Sequence, residues 1–165
     1  MARDEATGLN LHLPSRLAYP IQGIWLMRNR DVPRANNVYG YVRNGGSRFH
    51  AGWDVVAPVG TEVWAIRAGT VTIAGWISGY GNCVQHDFTF NGQTYYVLYA
   101  HLSQIFVSLN QKIELGFQVG LSGISGNASN TDPHLHFQFN SGAGMVDRQS
   151  SLNPTTFFGT PPPGN

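Results

Sequence analysis

Residues 83–101, CVQHDFTFNGQTYYVLYAH, decide the fold of this 165-residue chain. Two runs rich in valine, threonine and aromatic residues flank the dipeptide Asn91-Gly92. Asn-Gly accepts the positive φ angles of a type I′ turn, so the segment predicts a β-hairpin with strands over 83–90 and 93–101. Similar runs, bounded by Pro and Gly turns, predict further strands over 61–66 and 70–76. Strands that recur about every ten residues predict an all-β fold, an antiparallel sheet or sandwich with little helix.

Composition excludes several classes of protein. The net charge is +1, and a nucleic-acid-binding surface would need clustered Lys and Arg, so we expect no nucleic acid partner. No stretch has the apolar length of a membrane span. The single cysteine, Cys83, excludes an internal disulfide. The first eight residues carry acids where a secretory signal needs a basic segment and an apolar run, so no signal peptide is visible.

The length predicts one domain with a sizeable core. We expect this domain to cover residues 17–158, and we expect a strand within 19–25. Residues 1–16 are predicted to form a polar N-terminal arm. Residues 159–165, which include three consecutive prolines, are predicted to form a Pro-rich tail.

The run Pro133-His134-Leu135-His136-Phe137 carries the clearest chemical signal. If residues 133–139 form a strand, His134, His136 and Gln138 share one face, and the apolar residues between them face the core. Placing two imidazoles side by side on one face costs free energy if the rings serve only to fill space. A half-exposed surface pair is the alternative interpretation.

Two further motifs add an aspartate and two histidines. His50 and Asp54 are four residues apart and point the same way in an extended segment. His101 ends the run of the second hairpin strand and should lie on the same side as Tyr99. His86 and His12 are given no chemical role, and His86 is interpreted as a surface pair with Asp87 or a donor behind the site. Together, four histidines and an aspartate offer the ligand and base chemistry of a catalytic zinc site.

The order and context of these motifs resemble the lysostaphin/LytM-type zinc metallopeptidases, which cut peptidoglycan peptides. The resemblance covers residues 39–140 and rests on the following segments: HAGWDVVAPVGT at 50–61, AGTV at 68–71, GYGN at 79–82, YAHLS at 99–103 and PHLHF at 133–137. It implies a metal-binding groove with one Zn²⁺ per chain, held by His50, Asp54 and His136. It also implies that His101 and His134 are the two unligated catalytic histidines.

The sequence departs from the family pattern at several positions. Asp132 replaces the usual Gly before the Pro-His-Leu-His run, and Gln138 replaces the usual Glu after the Phe. Neither residue would be a ligand, but both lie close enough to tune the metal or the cleft. Tyr39 and Tyr41 are candidates for a tyrosine that acts on the transition state in some members, although neither aligns with it.

The resemblance implies a zinc-dependent endopeptidase that hydrolyses peptide crosslinks of bacterial peptidoglycan. The stem and cross-bridge peptides of peptidoglycan would be its binding partners. Such an enzyme acts in the periplasm or the extracellular cell wall. Because no signal peptide is visible, three origins of the chain remain alternatives: a phage enzyme, an injected effector and a piece of a longer protein. We expect a monomer, with an inhibitor or immunity protein as a candidate partner. The alternatives are a catalytically inactive relative that regulates other wall hydrolases and a phosphotransfer-type β-sandwich with paired histidines.

Overall fold

The computed structural model describes residues 3–4, 9–10, 17–23 and 37–162. These residues form mostly antiparallel β-structure with very little helix, so the predicted all-β class is confirmed. Most of the predicted arm, and the last three residues of the predicted tail, lie outside the described residues. The division into arm, domain and tail therefore stays a prediction.

The described residues form thirteen strands and one short helix in the following order. They are β1 (Arg3–Asp4), β2 (Leu9–Asn10), β3 (Gly40–Arg43), β4 (Arg48–His50), β5 (Gly52–Val56), β6 (Glu62–Trp64), β7 (Gly69–Ile77), β8 (Gly81–Phe90), β9 (Gln93–Ile105), β10 (Lys112–Ile113), β11 (Gln118–Ser122), β12 (His134–Asn140), β13 (Ser151–Leu152) and α1 (Thr155–Phe158). Short 3-10 turns lie at Asn44–Gly46 and Gly126–Asn130.

The predicted hairpin forms the centre of the sheet. Asn91 and Gly92 have φ angles of 49° and 78°, as a type I′ turn requires. Strand β8 pairs with β9 on one side and with β7 on the other. The sequence prediction of strands over 70–76, 83–90 and 93–101 is therefore confirmed, and β9 continues four residues further than predicted, to Ile105.

The other edge of β9 binds two strands in succession. Its C-terminal part pairs with β11, and its middle pairs with β12. Strand β12 in turn pairs with β5, so that His136 lies opposite Asp54 on one side and opposite Ala100 on the other. This topology puts the three sequence motifs on neighbouring strands.

One face of these strands forms the main hydrophobic core. Leu135, Phe137 and Phe139 of β12 are fully buried there, as the alternation predicted, and they pack with Trp53 and Phe157. Aromatic edge-to-face contacts are frequent in this core, for example between Phe137 and Phe139 at 5.0 Å. The second face of β12 is left for polar side chains.

Residues 17–23 cover one end of this core without forming a strand. Leu17 and Ile21 are buried in the core, and the Trp64 backbone N–H donates to the carbonyl oxygen of Pro20 at 2.8 Å. The strand expected within 19–25 is therefore wrong for residues 19–23; residues 24–25 lie outside the described residues. Proline has no N–H to donate to a ladder, which disfavours strand pairing here.

Among the described residues, no helix is long and apolar enough to cross a membrane.

Candidate active site

The structure brings His50, Asp54 and His136 together at the polar face of β12. The carboxylate oxygen Oδ1 of Asp54 lies 3.1 Å from His50 Nε2 and 2.8 Å from His136 Nδ1, and these two nitrogens are 3.2 Å apart. All three residues are buried. One ligand atom from each lies within 4.8 Å of the others, so the group could hold a metal ion.

Hydrogen bonds on the opposite ring nitrogens fix the tautomers of both histidines. His50 Nδ1 lies 2.8 Å from the carbonyl oxygen of Val38, and His136 Nε2 lies 2.9 Å from Oε1 of Gln138. Carbonyl oxygens only accept, so each of these nitrogens carries a proton and donates. In a neutral imidazole the other nitrogen is then an unprotonated acceptor, and in both histidines it faces Asp54.

Asp54 is ionised in this environment. Burial raises the pKa of its carboxyl, but the charges of His50 and His134 and hydrogen bonds from His136 and His50, which these imidazoles supply when they take up a second proton, outweigh burial and hold the pKa well below its usual range. The Arg43 guanidinium contacts Oδ2 of Asp54, the oxygen that does not face the two histidines. The carboxylate therefore has one oxygen held by Arg43 and one directed at the centre.

His101 and His134 stand beside this group, with their ring centroids 4.9 Å apart. Nδ1 of His101 lies 2.8 Å from the carbonyl oxygen of Ser125, and Nδ1 of His134 lies 2.9 Å from that of Asp132. Each Nδ1 therefore donates, which leaves Nε2 as the nitrogen that can accept a proton. Burial, with the nearby imidazoles, lowers the pKa of His101 to about 3, so its ring is neutral at neutral pH.

A β-bulge brings His101 to this side of the sheet. Two residues of β9, Ala100 and His101, stand opposite the single residue Cys83 of β8, and His101 has a φ of 61°. Strict alternation predicted that His101 shares the face of Tyr99, and this prediction is wrong. Tyr99 is buried in the main core, whereas His101 lines the cleft, because the extra residue reverses the alternation.

A buried network holds His136 from behind. The amide of Gln138 donates to the carbonyl oxygen of Val146 at 2.8 Å and to Oδ1 of Asn140 at 3.2 Å, which orients its Oε1 toward His136. The Tyr80 hydroxyl lies 3.1 Å from the same Oε1. In the sequence, Gln138 stands out only as a departure from the family pattern, and this network is not visible there because Val146 belongs to a loop that no motif marks.

His86 and the two candidate tyrosines lie away from this group. His86 is fully buried rather than part of a surface pair, with Nε2 2.9 Å from the Tyr99 hydroxyl and Nδ1 2.7 Å from the carbonyl oxygen of Asp87. Burial lowers its pKa to about 4. The Tyr39 hydroxyl donates a hydrogen bond to the carbonyl oxygen of Ser151, and Tyr41 is half-exposed. Neither tyrosine lines the cleft. His12 lies outside the described residues.

The histidines open onto a cleft of about 750 Å³. Tyr80, Asn127 and Thr131 line it beside His101 and His134. Three arginines complete the lining: Arg43, Arg48 and Arg148. No sequence signal marks these arginines, since they lie outside the three histidine motifs and Arg148 is almost a hundred residues from His50 in the chain.

The fold and this cluster define the class of protein. The sequence pattern of peptidase family M23 matches residues 48–153, and the chain belongs to that family. The matched segment includes all five site residues and the strands that hold them.

Several known proteins are similar to the chain. The peptidoglycan DD-endopeptidase ShyA of Vibrio cholerae is 36% identical over 123 residues, which are 73% of this chain and 26% of that protein. Lysostaphin of Staphylococcus simulans is 39% identical over 95 residues, 58% of this chain and 18% of that protein. The crystallised catalytic domain of this lysostaphin superposes with a TM-score of 0.61 at 30% identity, covering 75% of this chain and 90% of that domain. The chain thus spans about a quarter or less of these curated relatives.

Proposed function

We propose that this protein is a zinc-dependent endopeptidase that hydrolyses peptide crosslinks of bacterial peptidoglycan. One observation carries the proposal: His50 Nε2, Asp54 Oδ1 and His136 Nδ1 converge within 3.2 Å of one another. The N–H groups of His50 Nδ1 and His136 Nε2 point away from this cluster, so the three converging atoms can all offer lone pairs to one cation.

The donor set suits zinc better than the other common cations. Imidazole nitrogen and carboxylate oxygen are usual zinc ligands, whereas Ca²⁺ and Mg²⁺ prefer oxygen alone. Zinc–nitrogen distances near 2.05 Å in a tetrahedral site place ligand atoms about 3.3 Å apart, close to the spacing found here. Three protein ligands leave a fourth position open, which is the pattern of catalytic rather than structural sites. We propose one Zn²⁺ per chain.

His101 and His134 are the proposed proton-transfer residues. When bound, the metal supplies Lewis acidity toward a peptide carbonyl and makes water a better nucleophile. His101 donates Nδ1–H to the Ser125 carbonyl oxygen and so presents an unprotonated Nε2, the atom that a general base needs. His134 Nε2 lies 3.7 Å from Oδ1 of Asp54, at the edge of the candidate centre, and His134 is the proposed donor to an oxyanion or a leaving amine.

The substrate and the location follow from the relatives. ShyA and lysostaphin carry names that describe a peptidoglycan endopeptidase and an antimicrobial peptidase. We therefore propose action on the cell wall, in the periplasm or outside the cell. An inactive regulatory relative is disfavoured, since all three candidate ligands and both further histidines are present and adjacent.

Digestion of purified walls tests this proposal. The zinc-loaded protein is incubated with a diaminopimelate-type and a glycine-bridged peptidoglycan, and new amino termini are identified by mass spectrometry. We expect crosslink cleavage that is lost with a chelator and in His134→Ala. Intact walls in the presence of stoichiometric bound zinc would contradict the proposal.

A further inference from the structure

The cleft beside the candidate metal centre has a cationic wall, formed by Arg43, Arg48 and Arg148. Among the described residues that line the cleft, Asp54 is the only acid, and it belongs to the centre itself. The whole chain has a net charge of only +1. Positive charge is therefore concentrated where a substrate would bind.

The hairpin of β3 and β4 holds two of these arginines against each other. Arg43 and Arg48 are direct cross-strand partners, and like charges at such positions destabilise a strand pair. Arg43 is compensated by its contact with Asp54. Arg48 is exposed and has no ion pair with an acidic side chain within residues 17–23 and 37–162. The charge of Arg48 does not stabilise the hairpin. Because Arg48 lines the cleft, its guanidinium is placed to pair with a ligand there.

Arg148 is held in place by aromatic rings. Its guanidinium carbon lies 4.6 Å from the ring centre of Tyr41 and 4.9 Å from that of Phe49. The neighbouring Asp147 accepts a hydrogen bond from the Ser150 backbone at 2.9 Å and forms no ion pair with Arg148 in the described structure. A cation over aromatic rings keeps its charge, and the guanidinium has no hydrogen bond or ion pair with another described residue, so its N–H donors are left for another partner. Arg148 is thus positioned without being neutralised.

We propose that Arg48 and Arg148 select wall peptides that carry a free carboxylate near the scissile bond over peptides that carry none, such as a glycine bridge. This specificity rests on the proposed endopeptidase function. The planar fork of a guanidinium pairs with a carboxylate through two parallel hydrogen bonds. A glycine chain has no side-chain carboxylate to form that pair, and a carboxamide has no charge to complete it.

The test compares two synthetic wall-type peptides that differ only in one group, a carboxylate or the corresponding carboxamide. Binding is measured calorimetrically with the zinc-loaded 165-residue chain carrying His134→Ala, so that turnover does not deplete the peptide. We expect the carboxylate peptide to bind at least about tenfold more tightly, in a manner weakened by salt. In the double variants that add Arg148→Gln or Arg48→Gln, the difference should shrink to below about threefold. Adding Lys112→Gln instead removes a charge outside the cleft and should preserve it.

Equal affinity for the two peptides, no binding of either, or a preference that survives Arg148→Gln would overturn the proposed selection. Hydrolysis by the wild-type protein is measured in parallel. Selective binding without any cleavage would support the selection and contradict the endopeptidase function. Equal cleavage of both peptides would support the endopeptidase function and overturn the selection.

Discussion

Replacing Gln138 by leucine should weaken metal binding without touching a ligand. Gln138 is fully buried and accepts the proton on Nε2 of His136, which keeps Nδ1 unprotonated and aimed at Asp54. Loss of such a supporting partner typically costs about 10- to 100-fold in metal affinity, or about 1.4–2.7 kcal/mol. We expect a loss of this size in Gln138→Leu.

The same substitution should also destabilise the metal-free fold. It leaves two buried groups unpaired, His136 Nε2–H and Asn140 Oδ1, whereas the Val146 carbonyl keeps the Tyr80 hydroxyl at 3.0 Å. At about 1–3 kcal/mol for each unpaired buried group, the expected loss in the free energy of unfolding is about 2–6 kcal/mol. Urea unfolding of the metal-free protein measures this loss.

Gln85 supplies a matched control. It is also fully buried on the sheet, and it also ties the 142–146 loop down, through bonds to the Gly144 N–H and the Met145 carbonyl. It contacts none of the site histidines. Gln85→Leu should therefore lose stability but keep its zinc affinity within about threefold, as measured by competition with a chromophoric chelator. Equal zinc affinities in Gln138→Leu and the wild type, or equal losses in the two variants, would refute the reasoning.

Other consequences of the structure are open to direct measurement. His101→Ala and His134→Ala should keep zinc affinity within about threefold and lose about 10²- to 10⁴-fold in peptide hydrolysis, whereas loss of zinc with activity would reassign them as ligands. The pKa of His86 is lowered to about 4, so only the unfolded state takes up this proton as the pH falls from about 6.5. The free energy of unfolding should thus fall by about 3 kcal/mol between neutral pH and pH 4. In urea unfolding, His86→Gln should reduce this dependence on pH. Gly69→Ala would put a Cβ 1.8 Å from the Asp87 carbonyl oxygen and should cost at least about 2 kcal/mol, whereas Gly75→Ala in the same strand meets nothing within 4 Å. Similar melting temperatures for the two glycine variants would contradict the packing.

Local patterns predicted the central strands of the sheet and one half of the site. Asn91-Gly92 fixes the register of β8 and β9, because a two-residue turn allows only one pairing. The alternation in β12 puts His134 and His136 on one face, and the apolar positions between them account for the core contact. Both signals are short-range, so the sequence alone reveals them.

The remainder depends on contacts between distant segments. The bulge at His101 arises from pairing with β8, and a period of two residues cannot reveal an unpaired extra residue. The proton positions on His50 and His101 depend on the carbonyl oxygens of Val38 and Ser125, and backbone acceptors leave no trace in residue type. Arg148 reaches the cleft through a loop after β12, so its proximity to the histidines is visible only in three dimensions.

The dependence of crosslink cleavage on bound zinc tests the central claim most directly. Metal-free protein is titrated with zinc, and bound metal and the rate of new amino termini from purified peptidoglycan are measured on the same samples. We expect the rate to rise with occupancy and to level off at one zinc per chain, and we expect Asp54→Asn to show neither tight binding nor cleavage. Cleavage that is unchanged in metal-free protein, or absent at full occupancy, would contradict it.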